Sequence, residues 1–374
     1  MKITQTVLPF KLGKSKNRLT SHSGLVLFGE FMSSLGMREL LNTYLPLGRS
    51  NRSYLPSEVI EPLILMLSGG GRHLEDLRGL RYDEGLRGLL QVSKIPSSNG
   101  IGVRLRNMYR RGGVSGLNNV NRKLLEFLMK EEEIDSYTLD IDATVIRGEK
   151  FEAEYTYKGY KGYTPILGHL SENGIVIGWE FRKGKESPSS RNLSFIKHCV
   201  SNLPYGKRIK YLRADSASYQ SEIFNWSERE GVKFAIGGRL DSSVKELIES
   251  IPSSSWKPYK DNDGVEVGKI AEKIHTMNNT KSAFRIIIIK REYQLKLPGF
   301  VEDAEAEYGS MYKVIATNFS RGEKSAEEVV QWYNERGESS ENRIKELKND
   351  FGMERMPMGD FGGNAIFFCT QNLN

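Results

Sequence analysis

This 374-residue sequence has only two cysteines, Cys199 and Cys369, and no Cys-x-x-Cys pair. A disulfide framework and a cysteine zinc site are therefore excluded. Its five histidines, His22, His73, His169, His198 and His275, fall at no metal-ligand spacing and are assigned no role. No apolar run approaches the ~20 residues that cross a bilayer, so no membrane partner is expected. Met1 to Gly13 lacks an apolar segment followed by a small-residue cleavage site. No secretory signal is expected, and a reducing cytoplasm fits best. No period of about 20–50 residues recurs, which excludes a solenoid.

What is present is apolar content of 38% and charged content of 27%, enough to build cores. The length suggests roughly two to three domains of ~150 residues each. The formal net charge is +7, and it is uneven. Residues 1–130 hold 20 Lys+Arg against 9 Asp+Glu, a net +11, and the remainder carries a net −4. A basic block beside an acidic one points to an anionic polymer on one side and a cation site on the other. A solvated basic surface with no partner is the open alternative.

Residues 1–20 carry Lys2, Lys11, Lys14, Lys16 and Arg18 with few apolar anchors, which reads as a flexible basic arm. Apolar residues at helical spacing predict a helix within Gly24–Leu47 and another over Pro56–Leu67, closed by Gly69-Gly70-Gly71. Leu74–Leu90 reads as one or two short helices broken at Gly79 and Gly85. Ser97, Ser98 or Asn99 can cap a helix over Gly100–Arg111 that carries Arg104, Arg106 and Arg110. A short turn, a cap and an arginine-bearing helix resemble the second half of a helix-turn-helix, which makes these arginines candidate DNA contacts. A surface helix with ordinary arginines is the alternative. Val120–Lys130 predicts a further helix, followed by the acidic linker Glu131-Glu132-Glu133.

From Tyr137 the period changes. Tyr137 to Val145 alternates polar and apolar, as a strand does. Tyr163–Leu170 and Ile175–Phe181 follow as strands joined by a turn at Asn173-Gly174. Then come a helix over Arg191–Asn202, a strand over Ile209–Ala214, a helix over Ser221–Glu230 and a strand over Val232–Ile236. The order predicts an α/β fold with a mixed sheet. Gly237–Glu307 departs from that rhythm and reads as a β-rich insertion. Tyr312–Thr317 returns as a strand, Ala326–Arg336 is helical, and a second helix starts near Ser340, capped by Ser339 or Ser340.

Two acids stand out by position. Asp142 lies within the first predicted strand, and Asp215 ends the fourth. A carboxylate beside an apolar strand costs several kcal/mol unless paired or bound to metal. Each, taken alone, is also explained by a loop cap or a pair with Arg213. Glu341 and Lys348 stand seven residues apart, on one helix face. Three carboxylates on a strand, its neighbour and a packed helix can hold two divalent cations, with Mg²⁺ or Mn²⁺ suited to hard oxygen ligands. Tyr312 and Trp332 are expected to serve packing, with stacking on an unpaired base as the alternative.

The motifs are Leu139-Asp140-Ile141-Asp142-Ala143-Thr144, then Leu212-Arg213-Ala214-Asp215-Ser216. The third runs from Tyr333 through Arg336 and Glu341 to Lys348. In this order they resemble DDE transposases of bacterial insertion sequences, above all the branch whose last motif reads Tyr-x2-Arg-x3-Glu-x6-Lys. The resemblance reaches back to Asp76–Arg81 and Pro96–Ser98 and covers about residues 50–350. It implies an RNase-H-like mixed-sheet catalytic core with a β-rich insertion, preceded by an all-α N-terminal DNA-binding region. Asp142, Asp215 and Glu341 would be the catalytic acids and the ligands of two Mg²⁺ ions, with Mn²⁺ as a substitute. Tyr333, Arg336 and Lys348 would contact DNA phosphates near the cleaved bond.

The expected organisation is a basic, mostly helical DNA-binding region at 1–130, a core at 131–236 and 308–350, an insertion at 237–307, and a short, truncated C-terminal segment at 351–374. The implied activity is Mg-dependent DNA cleavage and strand transfer. The implied partners are double-stranded DNA, as terminal inverted repeats and target, and a second copy in a homodimer. The implied setting is the cytoplasm, at the nucleoid. A catalytically impaired DNA-binding derivative is the alternative. One departure bears on the site: four residues separate Arg336 from Glu341, where the motif has three. On a continuous helix one added residue rotates the face by ~100°. A helix restarted at Gly337 behind a serine cap would absorb it.

Overall fold

The computed structural model describes residues 16–50, 53–261, 264–294 and 308–373. Most of the basic arm expected at residues 1–20 lies outside them, as do parts of the region expected as an insertion. Among the described residues, seven α-helices precede the first strand: α1 (Ser23–Ser34), α2 (Met37–Tyr44), α3 (Pro56–Ser68), α4 (Leu77–Tyr82), α5 (Glu84–Leu89), α6 (Ser98–Arg110) and α7 (Gly113–Leu128). Local chemistry sets several of these ends. The single helix expected over Gly24–Leu47 is two, because Gly36 adopts a left-handed φ of 65° between α1 and α2. Pro56 opens α3, where a missing N–H has no cost. Ser97 caps α6, its hydroxyl accepting from the Gly100 amide at 3.2 Å. Val59, Ile60, Leu63, Ile64 and Leu67 of α3 are fully buried, so this helix is the axis of the helical layer.

The strands are β1 (Ser136–Ala143), β2 (Ile146–Arg147), β3 (Glu154–Tyr155), β4 (Lys161–Tyr163), β5 (Ile166–Leu170), β6 (Val176–Glu180), β7 (Arg208–Ala214), β8 (Lys233–Gly237), β9 (Lys257–Lys260), β10 (Glu266–His275), β11 (Phe284–Gln294) and β12 (Tyr308–Thr317). Nine of them form one sheet in the order β6-β5-β1-β7-β8-β12-β11-β10-β9, and β2-β4-β3 form a second, small one. β1, β7 and β8 run parallel, and the other neighbours in the large sheet pair antiparallel. The result is a mixed α/β fold. β9, β10 and β11, which the sequence reading set apart as an insertion, continue the large sheet outward from β12. Ile286 to Ile289 of β11 are all buried, a continuous apolar run that needs cover on both faces.

The remaining helices supply that cover. They are α8 (Asn192–Asn202), α9 (Ser221–Glu230), α10 (Ser242–Glu249), α11 (Ala326–Arg336), α12 (Asn342–Asn349) and α13 (Phe361–Gln371). Ile286 and Ile288 pack with α8, α9 and α10, whereas Ile287 and Ile289 pack with α11, as the two-residue strand period requires. Leu139 and Ile141 of β1 share the α8–α10 side, so Asp140 and Asp142 face the other. On that other face the helical layer meets the sheet through Leu167 and Trp179, and α12 joins it through Ile344 and Leu347. Residues 351–374, expected as a short end, contain α13, which packs on α6, α7 and α3 with Phe367 and Phe368 fully buried.

Candidate active site

Two strand ends create the site. In the parallel pair β1–β7, Ile141 stands opposite Ala214. The next residues along each strand, Asp142 and Asp215, therefore emerge side by side, at about the 4.8 Å spacing of adjacent strands. Carboxyl ends of parallel strands are where α/β sheets place their ligands. Asp215 also caps the 3₁₀ turn Ser216–Ser218, its carboxylate accepting from the Ala217 amide at 3.0 Å.

Arg213, which the sequence offered as a partner for either acid, serves a different one. It is fully buried and forks onto Asp140 at 2.7 and 2.8 Å. It also donates to the Trp332 carbonyl and Ser171 Oγ, each at 2.6 Å, and reaches Glu335 at 3.1 Å. Its guanidinium carbon lies 5.3 Å from the Trp332 ring centroid. One arginine thus ties β1, β7 and the β5–β6 turn to α11. That fixes the helix carrying Tyr333 and Arg336, and it leaves Asp142 and Asp215 unneutralised by Arg213.

Arg336 fills that role for Asp142. It is 7% exposed, ion-paired to Asp142 at 3.0 Å, and 3.5 Å from the Ile141 carbonyl. Burial alone would lower its pKa, but Asp142, Tyr333, Asp215 and Asp140 together raise it. Burial pushes Asp142 up to about 6; Arg336 opposes this, and the charges of Asp215 and Glu341 add to it. Asp142 therefore feels both other acids, which makes the three neighbours in space. Tyr333 is nearly buried, and burial raises its pKa. A Cβ on Gly237 would lie 2.9 Å from its hydroxyl and 3.1 Å from the Ser216 amide nitrogen. That places the hydroxyl at the Asp215 turn.

The extra residue before Glu341 is taken up in a way the sequence reading did not foresee. Gly337 keeps right-handed helical angles, φ −59° and ψ −41°, so the chain does not restart behind a serine cap. Gly337–Glu341 instead forms a π-turn between α11 and α12. A π-turn accommodates one added residue within a single wide turn, so the helix before and after stays in phase. Ser340 is buried within it and its hydroxyl caps nothing. Lys348, near the end of α12, reaches back to the Val145 carbonyl at 3.4 Å. Burial lowers its pKa, Lys158 lowers it further, and Asp142 opposes both.

Asp142, Asp215, Glu341, Tyr333, Arg336 and Lys348 therefore converge. Arg104, Arg106 and Arg110 do not join them. Arg104 donates to the Tyr54 carbonyl at 3.2 Å, Arg106 pairs with Asp360 of the α13 cap at 2.6 Å, and Arg110 is exposed. Residues 90–97 separate α5 from α6, longer than the about three- or four-residue turn of a helix-turn-helix. One residue of the site was missed. Lys313 of β12 is exposed, donates to Asn334 at 2.7 Å and lies 5.1 Å from the Tyr333 ring centroid. Desolvation of its ammonium, Arg291 and Arg336 lower its pKa, while Glu341 opposes them. A lysine inside the apolar strand Tyr312–Thr317 was the available signal. Trp332 and Tyr312 pack, against Arg213 and Trp256 respectively.

Among the described residues, no group of three or more His, Cys, Asp or Glu side chains is arranged to hold a metal ion. The Asp142 carboxyl is instead engaged by the Arg336 guanidinium, a cation in contact with the acid that neighbouring acids perturb. The donor chemistry still fits a hard divalent cation: three carboxylates, one of them raised chiefly by burial and further by the charges of the other two.

The site is thus an acid-bearing mixed sheet with the basic end of a helix facing the acids. Comparison with protein families narrows this: residues 10–372 match the model described as Transposase DDE domain group 1, and the chain belongs to that family. Among solved structures it is similar to a piggyBac transposase, in a cryo-EM structure of its synaptic complex with hairpin DNA. The TM-score is 0.45 and the identity 11%, over 93% of this chain and 73% of that one. No curated protein matches. No helix among the described residues is long and apolar enough to cross a membrane.

Proposed function

We propose that this chain is the transposase of a bacterial insertion sequence, binding the element's terminal inverted repeats and transferring their ends to target DNA. The observation that carries the reading is the convergence of Asp142, Asp215 and Glu341, with Arg336 and Lys348 beside them. Asp142, Asp215 and Glu341 would hold two Mg²⁺ ions, with Mn²⁺ as a substitute. Bound there, such ions supply Lewis-acid activation of the attacking oxygen and stabilisation of the leaving one. Arg336 holds Asp142 ionised and fixes its direction. Tyr333, Lys348 and Lys313 would receive phosphate oxygens of the strand being cut. Water, and then the freed 3′-hydroxyl, would be the two nucleophiles.

The order β6-β5-β1-β7-β8, antiparallel on one side of β1 and parallel on the other, supports an RNase-H-like core over 131–236 and 308–350. The helices of residues 1–130, with their net +11, would hold DNA largely through phosphates. Two copies would act together on paired ends. In this division residues 237–307 are an insertion that lengthens the core sheet.

Asp142→Asn tests the reading with end-labelled DNA from the gene's flanks. The variant should shift this DNA as the wild type does and cut none of it in Mg²⁺. Full cutting by the variant overturns the assignment. Binding without cutting by the wild type instead favours the impaired derivative.

A further inference from the structure

The chain that leaves Asp142 folds at once into the small sheet β2-β4-β3. Its inner side is anchored. Tyr163 is fully buried, 4.7 Å from the Phe181 ring, and its hydroxyl accepts from Asn364 of α13 at 3.0 Å. A Cβ on Gly184 would fall on the Glu154 and Gly162 carbonyl oxygens, and Lys183 makes a backbone bridge to Tyr163, so the following segment runs directly against β3 and β4. Gly159, at φ 82°, closes the loop, and Thr156 bonds the Tyr160 carbonyl through its amide and its hydroxyl.

Its exposed residues, away from Tyr163, are aromatic and basic. Phe151 is 93% exposed, Tyr155 67% and Tyr157 62%. Cations stand over rings nearby: Lys161 over Tyr155 and Lys158 over Tyr157, both at 5.9 Å, and Arg147 over Tyr160 at 5.5 Å. Of the acids here, Glu154 faces Lys183 at 3.7 Å and Lys185 at 3.2 Å, Glu152 accepts from the Phe361 amide, and Glu149 is exposed. A rigid element that keeps large rings in water makes no gain from burying them. Rings paired with cations match a base with its phosphate, because any base has a face to stack and every phosphate a charge.

We propose that residues 146–161 form a stacking platform for unpaired nucleotides of the DNA strand that enters the Asp142 site. The platform adjoins the acids through two links. β2 begins three residues past Ala143, and Lys348 bonds the Val145 carbonyl between them. Lys158 is close enough to Lys348 for its charge to act on that lysine. Tyr157, Lys158 and Lys348 thus form a track that ends at Asp142. The inference rests on the proposed transposase function, with which it shares its ligand.

The test uses the full chain, a fluorescein-labelled oligo-dT strand and a blunt duplex of the gene's flanking DNA. Tyr155→Ala and Tyr157→Ala should each weaken oligo-dT binding roughly tenfold, and Lys158→Glu should do the same. Tyr157→Trp should preserve it, and duplex binding should stay unchanged throughout. Photocrosslinking of 5-iodouracil-substituted oligo-dT to the wild type should label peptides within 146–161. Unchanged oligo-dT binding in the two alanine variants, or crosslinks only outside this segment, overturns the platform. Wild-type binding of duplex but not of oligo-dT also overturns the platform and leaves the transposase reading standing. Binding of neither overturns both.

Discussion

Gly237 lies where β8 meets the Asp215 turn, and there is no room for a side chain there. Gly237→Ala must displace either the Tyr333 hydroxyl or the Ser216 amide. A misplacement of about 1 Å in such a site costs on the order of a hundredfold in rate. Cleavage by the variant should therefore fall steeply while DNA binding holds. Adding Tyr333→Phe removes the clashing oxygen, so the double variant should regain part of the melting temperature lost in Gly237→Ala; no recovery would place the hydroxyl elsewhere. His169 offers a second residue-scale test. It is 2% exposed and lies 3.8 Å from Asp140, and burial drops its pKa to about 4. The unfolded chain binds that proton from about pH 6.5 downward, so the fold loses stability as pH falls from 6.5 toward 4. Wild type measured against His169→Gln isolates this group. The difference should shrink by on the order of 3 kcal/mol across that window in metal-free urea melts, and a flat difference would refute a buried neutral imidazole. Asp142, Asp215 and Glu341 were legible because each breaks an apolar pattern or completes a spacing. Arg213's true partner was not, because Asp140 and Asp142 share a face and only register decides between them.

The elements were largely readable. Ser221–Glu230 and Ala326–Arg336 have the bounds their periodicity predicts, since caps and turn residues mark both ends. The π-turn was hidden because periodicity reports phase before and after a helix, not how the phase is kept. It carries its own prediction. If Gly337–Glu341 only absorbs one residue, deleting Ser339 should leave a regular α-helix with Arg336 and Glu341 in their present relation. Cleavage should survive the deletion. An alanine inserted after Ile344 should abolish it, because nothing there absorbs the ~100° rotation of Lys348. Loss of activity on deletion, with helix content unchanged, would mean that the wide turn itself shapes the site. α6 is the converse case. Its cap and its arginines were legible, but the direction of Arg104 and Arg106 was set by Tyr54 and Asp360, far away in sequence.

At the scale of the whole molecule, the division of charge between a basic first third and an acidic remainder does not correspond to two separate cores. The largest core joins α1–α7, α12 and α13 to Leu167 and Trp179 on the sheet face that carries the acids. α13 is central to it, and no local signal showed this, because its partners lie some 250 residues earlier in α6 and α7. Phe368 is fully buried and packs 5.1 Å from Phe181, which in turn packs on Tyr163 at the base of the small sheet. Removing its ring should cost ~3–5 kcal/mol, the usual range for a buried phenylalanine. Because one core spans helices and sheet, that loss should not be confined to the end of the chain. In Phe368→Ala, far-ultraviolet dichroism and tryptophan fluorescence should melt together, at one lowered temperature. Two separated transitions, with the sheet's unchanged, would show that the helical layer folds independently of the sheet it covers. In that case the acids on β1 and β7 would owe nothing to the helices of residues 1–130.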